Sequence, residues 1–288
     1  MKGIVLAGGS GSRLYPITQV YSKQLALIYD KPLIYFPMSV LMLGGIKEIL
    51  IISNEETIPL YKQLFHDGVN LGLKIDYAVQ KAPNGIAEAF ILGEKFIGND
   101  NVTLILGDNI FYGSLSFFYN GLKNNPGATI FGYQVNDPQR YGIIEFDKED
   151  NPLRIVEKPK NPRSNYAVPG LYIYNNNVVD ISKNLKPSAR GELEITDINA
   201  EYLNRGELRV EKIGRGIAWL DTGTPEALLK AANFFGVIEE RQGLKVACLE
   251  EIAYKMKFID KEQFVNLLAK IPNSLYKNYL VKFLDGEK

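Results

Sequence analysis

Short apolar runs alternate with helical patterns along the first 110 residues of the chain. Runs rich in β-branched residues at 3–7 (GIVLA), 48–53 (EILIIS), 74–79 (KIDYAV) and 102–106 (VTLIL) predict buried strands. Between them, Pro37 to Leu43, Glu56 to Phe65 and Ile86 to Phe96 carry helical spacing, with Pro37 near a first turn and Asn84-Gly85 turning before Ile86. Strand, helix and strand at this spacing predict right-handed crossovers and a parallel sheet with helices on both faces. Ligands of such sheets sit beyond the carboxyl ends of the strands, where the winding reverses.

From about residue 128 the texture changes. Ala128–Val135, Gly142–Phe146, Leu153–Glu157 and Val168–Tyr174 are strand-like, separated by turns such as Asn136-Asp137-Pro138 and Asp150-Asn151-Pro152. They predict antiparallel additions to the same sheet, forming a second lobe of a pocket. After Asp221 the pattern turns helical, from Pro225 to Arg241, Gln263 to Lys270 and Ser274 to Leu284. The expected class is α/β: a three-layer, Rossmann-like fold with a largely parallel mixed central sheet, antiparallel additions and an appended C-terminal helical layer. The expected division is a core over 1–235, with halves at about 1–127 and 128–235, and a helical segment over 236–288 packed on it.

Composition mainly excludes. The chain has 288 residues, 46% of them hydrophobic, so a packed core is affordable and wholesale disorder is not expected. Lys plus Arg number 33 against 33 Asp plus Glu, and a net charge of zero argues against gripping nucleic acid or an anionic membrane. The single Cys248 and single His66 cannot build a disulfide framework, a thiolate zinc site or a multi-histidine metal site. His66 stands in Phe65-His66-Asp67-Gly68, which reads as a helix end, so a solvated or capping histidine is expected. No apolar stretch is long enough to span a bilayer, and the expectation is a soluble cytoplasmic protein with a reduced thiol.

The strongest local signal directly follows the first strand: Leu6-Ala7-Gly8-Gly9-Ser10-Gly11-Ser12-Arg13-Leu14. Glycines let backbone N–H groups converge on an anion, and Arg13 adds a forked cation. The P-loop pattern is absent because no Lys stands in its place, and the dinucleotide fingerprint fails at Leu14. Asp30, at a tempting distance for a ribose ligand, is followed by Lys31-Pro32 and reads as a turn.

This loop, with Pro16 and Ser22-Lys23-Gln24 after it, resembles the signature of sugar-1-phosphate nucleotidylyltransferases. Tyr29-Asp30-Lys31-Pro32, Gly107-Asp108-Asn109, Arg140-Tyr141-Gly142, Glu157-Lys158-Pro159, the run from Arg190 to Asp197, and Trp219 to Thr224 extend the resemblance over nearly the whole chain. The motifs are similar to those of the short bacterial glucose-1-phosphate thymidylyltransferases. That resemblance implies a nucleotidyltransferase fold and Mg²⁺-dependent transfer from dTTP to α-D-glucose 1-phosphate, giving dTDP-glucose and pyrophosphate. It also implies the first step of dTDP-L-rhamnose or related deoxysugar synthesis, and a homo-oligomer, with a tetramer favoured. The alternative is UTP or another sugar 1-phosphate, because thymine and uracil differ by one methyl. A glycosyltransferase using nucleotide sugars would usually carry Asp-x-Asp, whereas Gly107-Asp108-Asn109 does not. A non-catalytic sensor would be expected to lose Arg13, Lys23, Asp108 or Asp221, and all four are present.

The chemistry suits a chain without catalytic His or Cys. The attacking phosphate oxygen is already anionic at neutral pH, so no general base is needed. What remains is to align two polyanions and neutralise developing charge. Asp108 and Asp221 each end an apolar run, and two such carboxylates converging would hold Mg²⁺. Arg13 and Lys23 would clamp the triphosphate. The resemblance assigns the nucleotide to Leu6, Gly8, Gly9, Gly11, Ser12, Arg13, Gln24, Asn109 and the base-reading group Gln80, Pro83 and Gly85. It assigns the sugar phosphate to Tyr141, Gly142, Glu157, Lys158, Val168, Tyr172, Arg190 and Trp219. Trp219 is open between a flat wall for the sugar and a core plug. Four departures from the family pattern stand out: Ser12 for Thr, Leu27 for Pro, Glu88 for Gln, and Ser114–Phe118 where His and acidic residues serve an end-product site. Glu88 is expected to face away from the polyanion. Phe234, Phe235, Val237 and Phe117-Phe118 are candidate interface residues.

Overall fold

The structure is a computed structural model and describes every residue except Ser10, Glu287 and Lys288; Ser10 of the glycine loop therefore lies outside the described residues. Strand β1 (Lys2–Leu6) leads through the glycine loop to a small hairpin, β2 (Leu27–Ile28) and β3 (Lys31–Pro32), then to helix α1 (Tyr35–Leu43). Two further units follow: β4 (Glu48–Ser53) with α2 (Ile58–Phe65), and β5 (Lys74–Val79) with α3 (Glu88–Leu92) and α4 (Glu94–Ile97). Next come β6 (Val102–Leu106), β7 (Asn109–Tyr112), α5 (Ser116–Lys123), β8 (Ala128–Gln134), β9 (Gly142–Phe146), β10 (Pro152–Glu157), β11 (Tyr166–Ala167) and β12 (Leu171–Tyr174). Helices α6 (Val178–Asn184) and α7 (Ile195–Asn204) precede β13 (Leu208–Lys212) and β14 (Ala218–Asp221). The chain closes with α8 (Pro225–Gln242), α9 (Leu249–Lys255), α10 (Lys261–Lys270) and α11 (Leu275–Gly286).

The main sheet runs β10-β9-β11-β8-β12-β6-β1-β4-β5, with β13 on β8. Strands β6, β1, β4 and β5 are parallel, whereas β12 lies antiparallel between β6 and β8. The parallel part is thus confined to the N-terminal half and to the β13–β8 pair. Period-two alternation sends successive β1 side chains to opposite faces: Val5 joins the layer with Met38, Tyr61 and Phe264, while Ile4 and Leu6 join Phe90, Tyr174 and Ile198. Helices cover both faces, and the sheet is the middle of three layers.

Two expected elements differ in extent, each beside a visible local feature. The helix expected over Ile86 to Phe96 breaks at Gly93, where a Cβ would lie 2.9 Å from the Ala89 carbonyl oxygen and 3.1 Å from Ile4. The strand expected over Val168–Tyr174 begins at Leu171: Pro169 has no N–H to give, and the Gly170 N–H donates to Asn109 Oδ1 at 3.0 Å instead. The expected boundary after residue 235 falls inside α8. His66 ends α2 at φ 51° and is exposed, as its surroundings predict. No helix among the described residues is long and apolar enough to cross a membrane.

A buried charge network ties the hairpin to the C-terminal helices. Tyr29-Asp30 turns between β2 and β3, and Lys31, 3% exposed, pairs with Asp30 and with Glu239 of α8 at 2.9 Å. Glu239 also accepts from the Val246 N–H at 2.8 Å, and Lys245 reaches both Asp30 and Glu239. Burial pushes the Asp30 carboxyl up, but hydrogen bonds from Lys245 and Lys31 outweigh it and hold the carboxyl below its ordinary value. Because the native value is the lower one, the stability from ionised Asp30 is complete above its unfolded-chain value near 3.8. It is lost as the pH falls through the native value.

Removing Lys31 leaves the two carboxylates Asp30 and Glu239 to share Lys245 alone, an excess of negative charge in a largely buried place. Lys31→Met is expected to lower unfolding stability by about 3 kcal/mol. Lys31→Met with Glu239→Leu is expected to lose less than the single variant. Urea unfolding of the two variants checks this, and a single-variant loss under about 1 kcal/mol contradicts it.

Candidate active site

Two adjoining cavities open at the carboxyl ends of the parallel strands. The smaller, about 240 Å³, is lined by Gly8, Gly9, Gly11, Ser12, Arg13, Lys23, Gln24, Asp108 and Gly223. The larger, about 500 Å³, includes Arg13, Asp108, Arg140, Lys158, Arg190 and Asp221 in its lining. Arg13 and Asp108 belong to both.

The glycine loop shapes the smaller cavity. Gly9 at φ +104° and Gly11 at φ +56° adopt backbone conformations that L side chains rarely take. The buried side chain of Gln24 braces the loop: its Oε1 accepts from the Ser22 hydroxyl at 2.6 Å, and its Nε2 donates to the Gly8 carbonyl at 3.3 Å. Lys23 faces Asp108 and makes an ion pair with it. Among the described residues Arg13 forms no ion pair, so its exposed guanidinium is available to a ligand.

Asp108 is placed by a strand pair that the sequence did not announce. Strands β7 and β14 are antiparallel and put Asp221 opposite Asn109, next to Asp108. The Asp108 carbonyl accepts from Thr222 Oγ1 at 2.8 Å, and Asp108 Oδ1 accepts from Asn109 Nδ2 at 2.8 Å. Asn109, buried, spends its Oδ1 on Trp219 Nε1 at 2.6 Å and on the Gly170 N–H. Asn109 therefore lines the larger cavity and orients Asp108, rather than lying with the glycine loop. Trp219 is 8% exposed: its ring packs against Tyr133 and Tyr141, and the residue also belongs to the lining of the larger cavity.

The residues assigned to the sugar phosphate, Tyr141, Gly142, Glu157, Lys158, Val168, Tyr172, Arg190 and Trp219, all line the larger cavity. Several of their polar atoms are already engaged with one another or with neighbouring residues. Glu157 accepts from Thr196 Oγ1 at 2.7 Å and stands 3.3 Å from Lys158 Nζ. Arg190 is committed to Glu194 at 2.7 Å, with Glu157 and Glu192 farther off, and its guanidinium is thereby held firmly charged. Lys158 has φ +41°, a conformation costly for a non-glycine residue, which turns the chain beside the cavity. Burial raises the Tyr172 and Tyr141 hydroxyls well above the ordinary tyrosine value, with neighbouring carboxylates adding to the effect, so both stay protonated donors.

Asp221 pairs with Arg140 at 2.8 Å, and Arg140 also reaches Asp137 at 2.8 Å. Burial raises the Asp221 carboxyl; Arg140 opposes this, and Asp108 adds to it. The role of Arg140 escaped sequence reasoning, although the residue sits in the Arg140-Tyr141-Gly142 motif, because its partner is far along the chain. Thr196 and Glu194, in the run from Arg190 to Asp197, were missed likewise. No group of three or more His, Cys, Asp or Glu among the described residues could hold a metal ion. The two neighbouring hard carboxylates Asp108 and Asp221 fit an ion that takes few protein ligands and keeps waters and phosphate oxygens, as Mg²⁺ does.

The base-reading group lies apart from both linings. Gln80 is buried just after β5, with its Oε1 at the backbone of Gly8: a Cβ there would be 3.0 Å away. Leu6 is buried within β1, and Pro83 is exposed. Glu88, expected to face away from the polyanion, lines neither cavity and turns toward Gln80. Its Oε2 accepts from Gln80 Nε2 at 2.8 Å and its Oε1 from Asn84 Nδ2 at 2.7 Å, because the buried amide of Gln80 requires acceptors. Of the expected interface aromatics, Phe117, Phe118 and Phe235 are buried in this chain's own core, which leaves Phe234 and Val237 exposed.

Comparison with known proteins agrees with this geometry. A family model described as nucleotidyl transferase matches residues 2–237. A glucose-1-phosphate thymidylyltransferase of Neisseria meningitidis serogroup A is 52% identical over 288 residues, covering 99% of each chain. A solved structure of a candidate glucose-1-phosphate thymidylyltransferase from Bacillus anthracis, in complex with sucrose, is 42% identical with a TM-score of 0.76, covering 81% of this chain and 94% of that one. A UDP-glucose pyrophosphorylase complexed with UDP-glucose is 25% identical with a TM-score of 0.73, covering 82% of this chain and 98% of that one. The chain belongs to the nucleotidyl transferase family, an assignment that its fold, its glycine loop and its paired cavities support together.

Proposed function

We propose that this protein is a glucose-1-phosphate thymidylyltransferase, transferring a thymidylyl group from dTTP to glucose 1-phosphate with release of pyrophosphate. The observation that carries it is the sharing of Arg13 and Asp108 between a glycine-walled cavity and one rich in hydroxyl acceptors and cations. Such a junction is where an α-phosphorus and an incoming phosphate oxygen must meet. The reading includes Mg²⁺ dependence, assembly as a homo-tetramer in the cytoplasm, and a place at the start of dTDP-L-rhamnose or related deoxysugar synthesis.

In this reading a phosphate oxygen of the sugar phosphate attacks the α-phosphorus, the bond from that phosphorus to the bridging oxygen breaks, and pyrophosphate leaves with the electron pair. Glycine-loop N–H groups and Lys23 hold the triphosphate, while Lys158 holds the sugar phosphate. Arg13, free of carboxylates, faces the centre where charge builds. Glu157 accepts from sugar hydroxyls, and Tyr141 and Trp219 exclude water from one side. Mg²⁺ held by Asp108 and Asp221 would supply further positive charge against the α-phosphoryl group and the departing pyrophosphate. No proton has to be removed from the nucleophile, which accounts for a site without histidine.

Purified protein with Mg²⁺, dTTP and glucose 1-phosphate is expected to release pyrophosphate in step with dTDP-glucose. The proposal fails if binding is intact and no pyrophosphate appears. The same assay with UTP tests the uridylyl alternative, for which one methyl contact is worth about 1–3 kcal/mol. Arg13→Ala is expected to lower kcat roughly 100-fold, about 3 kcal/mol, as for loss of one preorganised charge. Asp108→Asn should cost at least as much at limiting Mg²⁺, and unchanged turnover there contradicts the metal assignment.

A further inference from the structure

The side-chain amide of Gln80 is held in one orientation. Its Nε2 donates to Glu88 Oε2 at 2.8 Å and to the Gly85 carbonyl at 3.3 Å, so both amide hydrogens have acceptors. Turning the amide over would set Oε1 against a carboxylate and a carbonyl, two acceptors with nothing to give. Glu88 is itself fixed, because its other oxygen accepts from Asn84 of the same turn at 2.7 Å. The turn is pinned to a distant loop by Leu193 N–H donating to the Asn84 carbonyl at 2.7 Å. Among the described residues no donor reaches Gln80 Oε1, and this oxygen is not among the enclosed atoms without a partner, so it keeps an open approach beside Gly8.

We infer that Glu88 is a positioning residue for nucleotide choice: it locks Gln80 so that the nucleotide site shows the base an acceptor and never a donor. The inference rests on the nucleotidyl-transfer reading and on Gln80 meeting the base, and it names the base class. With sugar and phosphates anchored, the pyrimidine edge is presented in one register. Thymine and uracil bring N3–H to the oxygen and form a hydrogen bond. Cytosine brings a lone pair at N3 and is repelled. A glutamine at 88 could donate or accept, and Gln80 could then turn over to serve either base. The negative charge at 88 thus removes the ambiguity that an amide reader otherwise carries.

The test compares kcat/KM for dTTP, UTP and dCTP in the parent protein, Glu88→Gln, Glu88→Ala and Gln80→Leu. Both Glu88 variants are expected to reduce the dTTP-to-dCTP ratio at least tenfold while leaving the dTTP-to-UTP ratio within about twofold, since the methyl group is not read by the amide. A general structural defect would lower all three nucleotides together and leave the ratios alone. Gln80→Leu is expected to lower dTTP use. Should it do so while the Glu88 variants keep the parental dTTP-to-dCTP ratio, the role of Glu88 is overturned and the base-reading role of Gln80 stands. If Gln80→Leu leaves dTTP use unchanged, Gln80 does not meet the base and the inference falls with it.

Discussion

The position of Asp108 is the constraint on which the site depends. One carboxylate sits where the two cavities meet, close to a second carboxylate and covered by positive charge. The chain meets this with long-range pairs. Thr222 fixes the Asp108 carbonyl, Asn109 fixes one carboxylate oxygen, Lys23 takes the other, and the β7–β14 pair brings Asp221 alongside. Asn109 is in turn held by Trp219 and by Gly170, whose N–H was released from the sheet by Pro169. A break in one strand therefore orients a carboxylate on another.

The sheet divides its labour at the junction of β6 and β12. On one side the parallel strands deliver their carboxyl ends, and the glycine loop with them, to a single edge. On the other, antiparallel strands and the segments between them supply a wall of side chains from widely separated positions, among them Tyr141, Glu157, Val168 and Tyr172. The first arrangement suits a backbone-lined phosphate cradle. The second suits a sugar pocket, where many hydroxyl partners must be presented at different angles.

What could be read from the sequence follows from the same division. Strands 48–53, 74–79 and 102–106 were legible to the residue because each is a short run rich in β-branched or aromatic residues; the first and third are buried along most of their length, the second only in part. The glycine loop was legible because its requirement is local. The β7–β14 pair, the Arg140–Asp221 bridge and the orientation of Glu88 were not, since each depends on a partner distant in sequence or on a side chain's hydrogen-bond needs. Phe117 and Phe118 read as candidate interface residues but pack on Phe131, because the short helix α5 turns both inward. Gly93 illustrates a third limit: a helical pattern continued through it, while the closeness of the Ala89 carbonyl, Ile4 of β1 and Leu50 of β4 leaves little room there for a side chain.

The balanced composition acquires a physical meaning in this site. Lys23 covers Asp108, Arg140 covers Asp221, Lys158 stands by Glu157, and Arg190 is held by Glu194. A cleft built only of cations would repel itself, and one built only of carboxylates could not admit phosphate. Pairing them lets the chain keep a dense set of both signs beside a largely buried wall. Arg13, without a carboxylate among the described residues, is the exception. It lies between the cavities, where the transferred phosphoryl group itself would supply its counter-charge.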